Sequence, residues 1–136
     1  MINSRFSVAI HILTLVASQA ECHLKSEIIA SSVNTNPVVI RRINGMLKKA
    51  GILSSKAGVI GSTLTRDPSN IKLLDIYKAV QTEDDLFAVH EKPNPECPIG
   101  EKIQQTINTS FQKVQAAMEK ELAKQTLQDI LDHLHS

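Results

Sequence analysis

Residues 35–51 read Thr-Asn-Pro-Val-Val-Ile-Arg-Arg-Ile-Asn-Gly-Met-Leu-Lys-Lys-Ala-Gly. Asn36 is a good N-cap, and Pro37 follows at the first helical position, where its missing N–H costs nothing. Gly51 can take the left-handed conformation that ends a helix. Turning about 100° per residue, the helix between them sorts its side chains into two sets. Ile40, Ile43 and Leu47 share one side, with Val39, Met46 and Ala50 beside them. Val38, Arg41, Arg42, Gly45, Lys48 and Lys49 share the other. One face suits a core, while the opposite face carries four cations and no carboxylate. A helix of this kind is expected to lie in the DNA major groove as a recognition helix.

The charge around this helix extends the same reading. The chain of 136 residues has a net charge of only +1, but the charge is unevenly divided. From Ile28 to Arg66 there are six cations (Arg41, Arg42, Lys48, Lys49, Lys56 and Arg66) and no Asp or Glu. The other nine cations share the remainder with all fourteen acids. A basic block beside an acidic remainder is the footprint of a dedicated polyanion-binding face. The composition, 42% hydrophobic and 3% aromatic without tryptophan, suits a helical globular domain with an aliphatic core. At this length one domain buries about two-thirds of its unfolded surface.

Upstream, Ser4 can cap a first helix running to about Ser18, with Val8, Ile12, Leu15 and Val16 as its core side. The run Phe6 to Ala17, followed by Ala17-Ser18-Gln19-Ala20, also imitates a secretory signal. A single preceding cation and His11 in its middle favour a cytoplasmic helix instead. No apolar run reaches the roughly 20 residues that span a bilayer, so no membrane partner is expected. Lys25 to Val33, with Ile28, Ile29 and Val33 at helical spacing, forms a second short helix. Asn34-Thr35-Asn36 makes the corner before the basic helix. Two helices joined in this way are a helix-turn-helix.

Downstream the period changes. Ile52 to Lys56 and Ser62 to Arg66 read as strands around a glycine-bearing loop, Ala57-Gly58-Val59-Ile60-Gly61. A hairpin directly after a recognition helix is the wing of a winged helix. Asp67-Pro68-Ser69-Asn70 is a turn, Ile71 to Val80 a short helix, and Glu83 to Cys97 a loop. Ile99, Ile103, Ile107, Phe111, Val114, Met118 and Leu122 then recur by threes and fours over about six turns. That stripe exceeds what a small winged helix can cover, so it is expected to bury against a second copy. A last helix, Leu127 to Leu134, packs back on the body. The fold expected is mainly α with a small β-hairpin wing. Its parts are a winged helix-turn-helix over 1–82, a loop over 83–98, and a dimerisation helix with the C-terminal helix over 99–136.

This order of parts resembles the Rrf family of bacterial winged-helix transcription regulators (the IscR, CymR and NsrR type), and within it the YwnA-like group that lacks an iron–sulfur cluster. The likeness spans nearly the whole chain. It rests on Ser4-Arg5-Phe6-Ser7-Val8-Ala9, on Leu47-Lys48-Lys49-Ala50-Gly51-Ile52-Leu53, and on Ile71 to Val80, which is similar to the family's helix after the wing. Cys97-Pro98-Ile99-Gly100 and Thr126-Leu127-Gln128-Asp129-Ile130 fit its C-terminal half. The family wing reads Arg-Gly-x-x-Gly-Gly-Tyr-x-Leu. Lys56 to Leu64 keeps a cation, Gly61 and the leucine but loses the tyrosine. Cluster-binding members supply three cysteines before the long helix, whereas this loop offers only Cys97 and the chain two thiols in all.

The expected function is a homodimeric, sequence-specific DNA-binding transcriptional regulator, a repressor acting on a palindromic operator through helix 36–50 and wing 52–66. Arg41, Arg42, Lys48 and Lys49, with Lys56, are candidates for phosphate contacts, and Thr35, Asn36, Val38 and Arg41, near the start of the helix, for base edges. Cys22 and Cys97 are candidate redox thiols, with an inert role as the plainer reading; any effector is left open. No cofactor or metal is expected, since Cys22, His23, His90 and Cys97 lack ligand-pair spacing. Two other classes remain open. One is a winged helix that binds protein rather than DNA, against which the uncompensated cations argue. The other is a thiol enzyme built on Cys97 and His90, for which no orienting group or oxyanion loop is present.

Overall fold

The computed structural model describes residues 4–18, 25–58, 61–81, 94 and 96–136. The chain divides into two compact units, Met1–Gln81 with Leu122–Ser136, and Thr82–Glu121. The first unit contains helices α1 (Arg5–Ser18), α2 (Ser26–Val33) and α3 (Pro37–Lys49). Strands β1 (Leu53–Ser54) and β2 (Thr63–Leu64), a 3₁₀ turn (Pro68–Asn70), and α4 (Leu73–Val80) come next. Helix α5 (Pro98–Lys124) then leads to α6 (Leu127–Leu134), which belongs to the first unit.

Local chemistry accounts for the helix-turn-helix. Asn34 takes the left-handed conformation, φ 63°, at the end of α2. Its N–H donates to the Ser31 carbonyl, and the N–H of Thr35 to that of Ala30. The end of α3 repeats this pattern. Gly51, at φ 79°, donates to the Lys48 carbonyl while Ile52 donates to that of Leu47 at 3.0 Å. Both ends are Schellman motifs, which satisfy carbonyls a helix would otherwise leave open. In the second, Leu47 and Ile52 both belong to the core and have essentially no exposure.

The core of this unit combines Ile40, Ile43 and Leu47 of α3 with Ile12 and Leu13 of α1, Ile76 of α4, and Leu127 of α6. All three apolar positions expected of α3 are therefore inside. Helix α1 is turned from its expected face. Ala9, Ile12, Leu13 and Val16 are buried, whereas Val8 and Leu15 are half-buried. It is packed by α2, α3, α4, α6 and β2, so a one-sided stripe does not describe it. In α2, Ile29 and Ala30 are buried, and Ile28 stays 54% exposed.

The wing is shorter than expected. Among the described residues, Leu53 with Leu64 and Ser54 with Thr63 pair in an antiparallel register, extended by the Thr65 N–H to the Ile52 carbonyl. Beyond Ser54 the chain is Ser55-Lys56-Ala57-Gly58, with little β propensity to continue a ladder. Residues 59–60 lie outside the described residues. Helix α4 begins at Leu73 rather than Ile71, because Ile71 and Lys72 are extended and pair with the segment before α6. Leu73 donates to the Gln125 carbonyl at 2.9 Å, and Leu127 to that of Ile71 at 2.8 Å. Thr126 then starts α6 with a capping box, its hydroxyl accepting from the Asp129 N–H while Asp129 accepts from the Thr126 N–H. This pairing docks the last helix.

Helix α5 is 27 residues long, about 40 Å at 1.5 Å per residue. None of its residues is buried, and Ile99 and Val114 are 72% and 49% exposed.

Candidate nucleic-acid interface

Every residue assigned to the polar side of α3 is solvent-exposed: Val38, Arg41, Arg42, Gly45, Lys48 and Lys49. The apolar side anchors α3 so firmly that this face is fixed in orientation. Asn36 is spent in part on its own helix, because its Oδ1 accepts from the Val38 N–H at 2.8 Å. Its amide N–H₂ remains to offer. Thr35 is half-buried at the corner, with its backbone N–H tied to Ala30. Val38, 54% exposed, presents an isopropyl group at the start of the helix.

A groove of about 440 Å³ runs between the start of α2, the exposed side of α3 and the base of the wing. Lys25, Arg41, Lys48 and Lys56 line it together. Glu27 enters the same groove and binds Arg41, with Oε1 2.8 Å from Nη2. Asn44 lines it too, its Oδ1 buried and without a donor among the described residues. Arg42 and Lys49 lie exposed on α3 but do not line this groove. Lys56 thus joins the α3 cations through space, as the wing placement requires.

The fold changes the charge pattern in two places. Arg66 is engaged within the protein: it donates to the carbonyls of Asn70 at 2.9 Å and Gly51 at 3.4 Å, and pairs with Asp75 at 3.4 Å. It braces the end of α3 rather than extending the basic surface. Lys25 and Glu27, which flank the acid-free block in sequence, instead belong to the groove. Their position just before Ile28 was the available signal. No spacing rule relates α2 side chains to α3 side chains fourteen residues away.

Of the candidate thiols, Cys22 lies outside the described residues, as do His23 and His90. Cys97 is exposed immediately before α5, and its carbonyl accepts the first helical hydrogen bond from Glu101. Acidic residues such as Glu91 and Glu96 precede it in the sequence and do not favour a thiolate. The helix start overrides them, since the backbone N–H groups of Gly100 and then Ile99 hold the thiol below its ordinary value. In a Cys22→Ser variant, the pH midpoint of iodoacetamide alkylation should fall below the roughly 8.5 of a free thiol. In urea it should return to that value; an identical midpoint folded and unfolded would remove the effect. His11 is half-buried, with Nε2 3.1 Å from the Ser32 hydroxyl.

Among the described residues, no helix is long and apolar enough to cross a membrane.

The profile of a family described as Rrf2, iron-dependent transcriptional regulator, matches residues 2–133. The chain is 57% identical over 134 residues to YwnA of Bacillus subtilis strain 168, a candidate helix-turn-helix transcriptional regulator, covering 98% of this chain and 99% of that one. A crystal structure of a candidate DNA-binding protein is 50% identical and superposes with a TM-score of 0.80, covering 94% of this chain and 99% of the other. The fold is also that of CymR, the global cysteine regulator of B. subtilis, at 21% identity and a TM-score of 0.70, over 98% and 97% of the two chains. The family description carries iron, and the donor set here does not fit an iron–sulfur cluster. A cluster takes about four protein ligands, and the sequence holds two cysteines. Among the described residues, no three His, Cys, Asp or Glu side chains stand together.

Proposed function

Because the chain belongs to the Rrf2 family of transcriptional regulators, and so is a DNA-binding winged-helix protein rather than an enzyme, we propose that it acts in the cytoplasm as a homodimeric repressor of a palindromic operator. The observation that carries this reading is the segregation on α3. Its apolar side is buried in the core, and its four cations all stand on the exposed side. The two-fold partner is supported by α5, whose apolar stripe has no buried residue within one chain. A symmetric dimer presents two recognition helices to half-sites about one helical turn apart.

In this reading Arg42, Lys48, Lys49 and Lys56 neutralise phosphates and set position. The start of α3 reads bases: Val38 against a thymine methyl, Arg41 against a guanine edge, and Asn36 and Thr35 beside them. Gly45 fits the same scheme. A glycine inside a helix costs about 0.5–1 kcal/mol relative to alanine, and a Cβ at this position would meet nothing within 4 Å. Among the described residues nothing requires it, whereas a close approach of the DNA backbone would. Gly45→Ala is therefore expected to raise the unfolding free energy by about 0.5–1 kcal/mol while weakening DNA binding. Equal or tighter binding would remove the close approach.

The test of the function is selection from a library of randomised duplexes by the purified protein. A palindromic consensus with half-sites about one helical turn apart, bound by a dimer in sedimentation, is the expected result. Retention without a consensus, or binding by a monomer, would refute it.

A further inference from the structure

Arg41 is the cation proposed above to read a base, and of the four α3 cations it is the one with an acidic partner among the described residues. Glu27 stands in the first turn of α2, and its Oε1 lies 2.8 Å from Arg41 Nη2. The two side chains are 57% (Arg41) and 61% (Glu27) exposed. An ion pair so open to solvent contributes little to stability. Its consequence lies in what the guanidinium can still do.

A guanidinium has five N–H donors in a planar fork. Glu27 takes one on Nη2, so a parallel pair of donors, the second Nη2 hydrogen with a neighbouring N–H, remains to face a guanine O6 and N7. The carboxylate also cancels the charge of Arg41, which lowers its attraction to phosphate. Lys48 and Lys56 line the same groove, and neither pairs with a carboxylate among the described residues. The groove thus holds uncompensated lysines suited to phosphates beside one neutralised, oriented arginine.

We propose that Glu27 is a positioning residue for DNA recognition: by binding Arg41 across the helix-turn-helix, it turns that arginine from a phosphate contact into a base reader. This assignment rests on the proposed reading of α3 as a sequence-specific recognition helix. Glu27 sets specificity at the expense of non-specific affinity. An acidic residue in the first turn of α2 also favours that helix through its dipole, a contribution that would be visible in thermal unfolding but not in discrimination between two duplexes.

The experiment uses the consensus duplex recovered by selection and a scrambled duplex of equal length and composition. Affinities of both are measured across a series of salt concentrations for wild type, Glu27→Gln, Arg41→Ala and the double variant. In Glu27→Gln the released Arg41 should bind scrambled DNA more tightly. It should also steepen the log affinity against log salt slope by about 0.9 per protomer, as one more phosphate contact does. The ratio of consensus to scrambled affinity should fall about tenfold, the scale of one bidentate base contact. In the Arg41→Ala background, Glu27→Gln should leave that ratio unchanged. If Glu27→Gln shifts both affinities equally, or lowers the ratio as much without Arg41 as with it, Glu27 is only a surface charge and the assignment is wrong. A selection that returns no consensus defeats the sequence-specific reading itself, and this assignment with it.

Discussion

Replacing Arg42, Lys48 and Lys49 together by alanine is expected to reduce affinity for any duplex by a few hundredfold for each bound protomer at about 0.1 M salt. Each phosphate neutralised by a protein cation releases a condensed counterion and contributes about 0.9 to the salt slope. Three lost contacts should therefore flatten the slope by about 2.7 per protomer, and the affinity loss should grow as salt is lowered. Consensus and scrambled duplexes should lose affinity alike, because phosphate contacts carry no sequence information. All three residues are exposed, so the fold should survive. Surface substitutions of this kind usually change stability by within about 0.5 kcal/mol each, although Lys48 and Lys49 also favour the C-terminal end of the α3 dipole. Fluorescence anisotropy across a salt series, with thermal unfolding as the control for folding, measures both effects. A folded variant with an unchanged slope would mean that these cations do not meet phosphates.

Leu47→Ala should have the largest effect on the fold, about 2–5 kcal/mol. Leu47 has no exposure and belongs to the buried cluster to which α1, α2, α3, α4 and α6 contribute. Its carbonyl also accepts the Ile52 N–H that turns α3 into the wing. Truncation leaves a cavity where the basic helix is anchored. The loss is a large share of the roughly 5–15 kcal/mol that holds a domain together. Urea unfolding followed by circular dichroism should show a lower midpoint with little change in slope. Leu47→Met, which nearly conserves volume, should cost less than about 1.5 kcal/mol. Near-equal stability of the two variants would place Leu47 outside the cluster that organises this unit. DNA affinity should fall in Leu47→Ala only as far as the folded fraction falls, which separates the anchor from the contact face.

The two variants probe the two sides of one helix, and both sides are legible in the sequence for the same reason. Asn36, Pro37 and Gly51 act on their own dihedral angles and nearest hydrogen bonds. The 3.6-residue period then assigns Ile40, Ile43 and Leu47 to one side and the cations to the other. The long apolar period of α5 is equally local. Helix α1 is less legible because five elements pack it, so a stripe model places Val8 and Leu15 inside where Ala9 and Leu13 are found.

What the sequence determined by itself is the helix-turn-helix, its wing, and a basic face set against an apolar one, since backbone preference and helical period act within a few residues. Only the tertiary structure decided that Arg66 braces Gly51 and Asp75, that Lys25 joins the groove, and that Glu27 holds Arg41. It also decided that Ile71 and Lys72 pair with the chain around Thr126. Each of these joins residues separated by nine to more than fifty positions. Their proximity is a product of core packing, which brings distant segments together without leaving a repeat or a spacing in the chain.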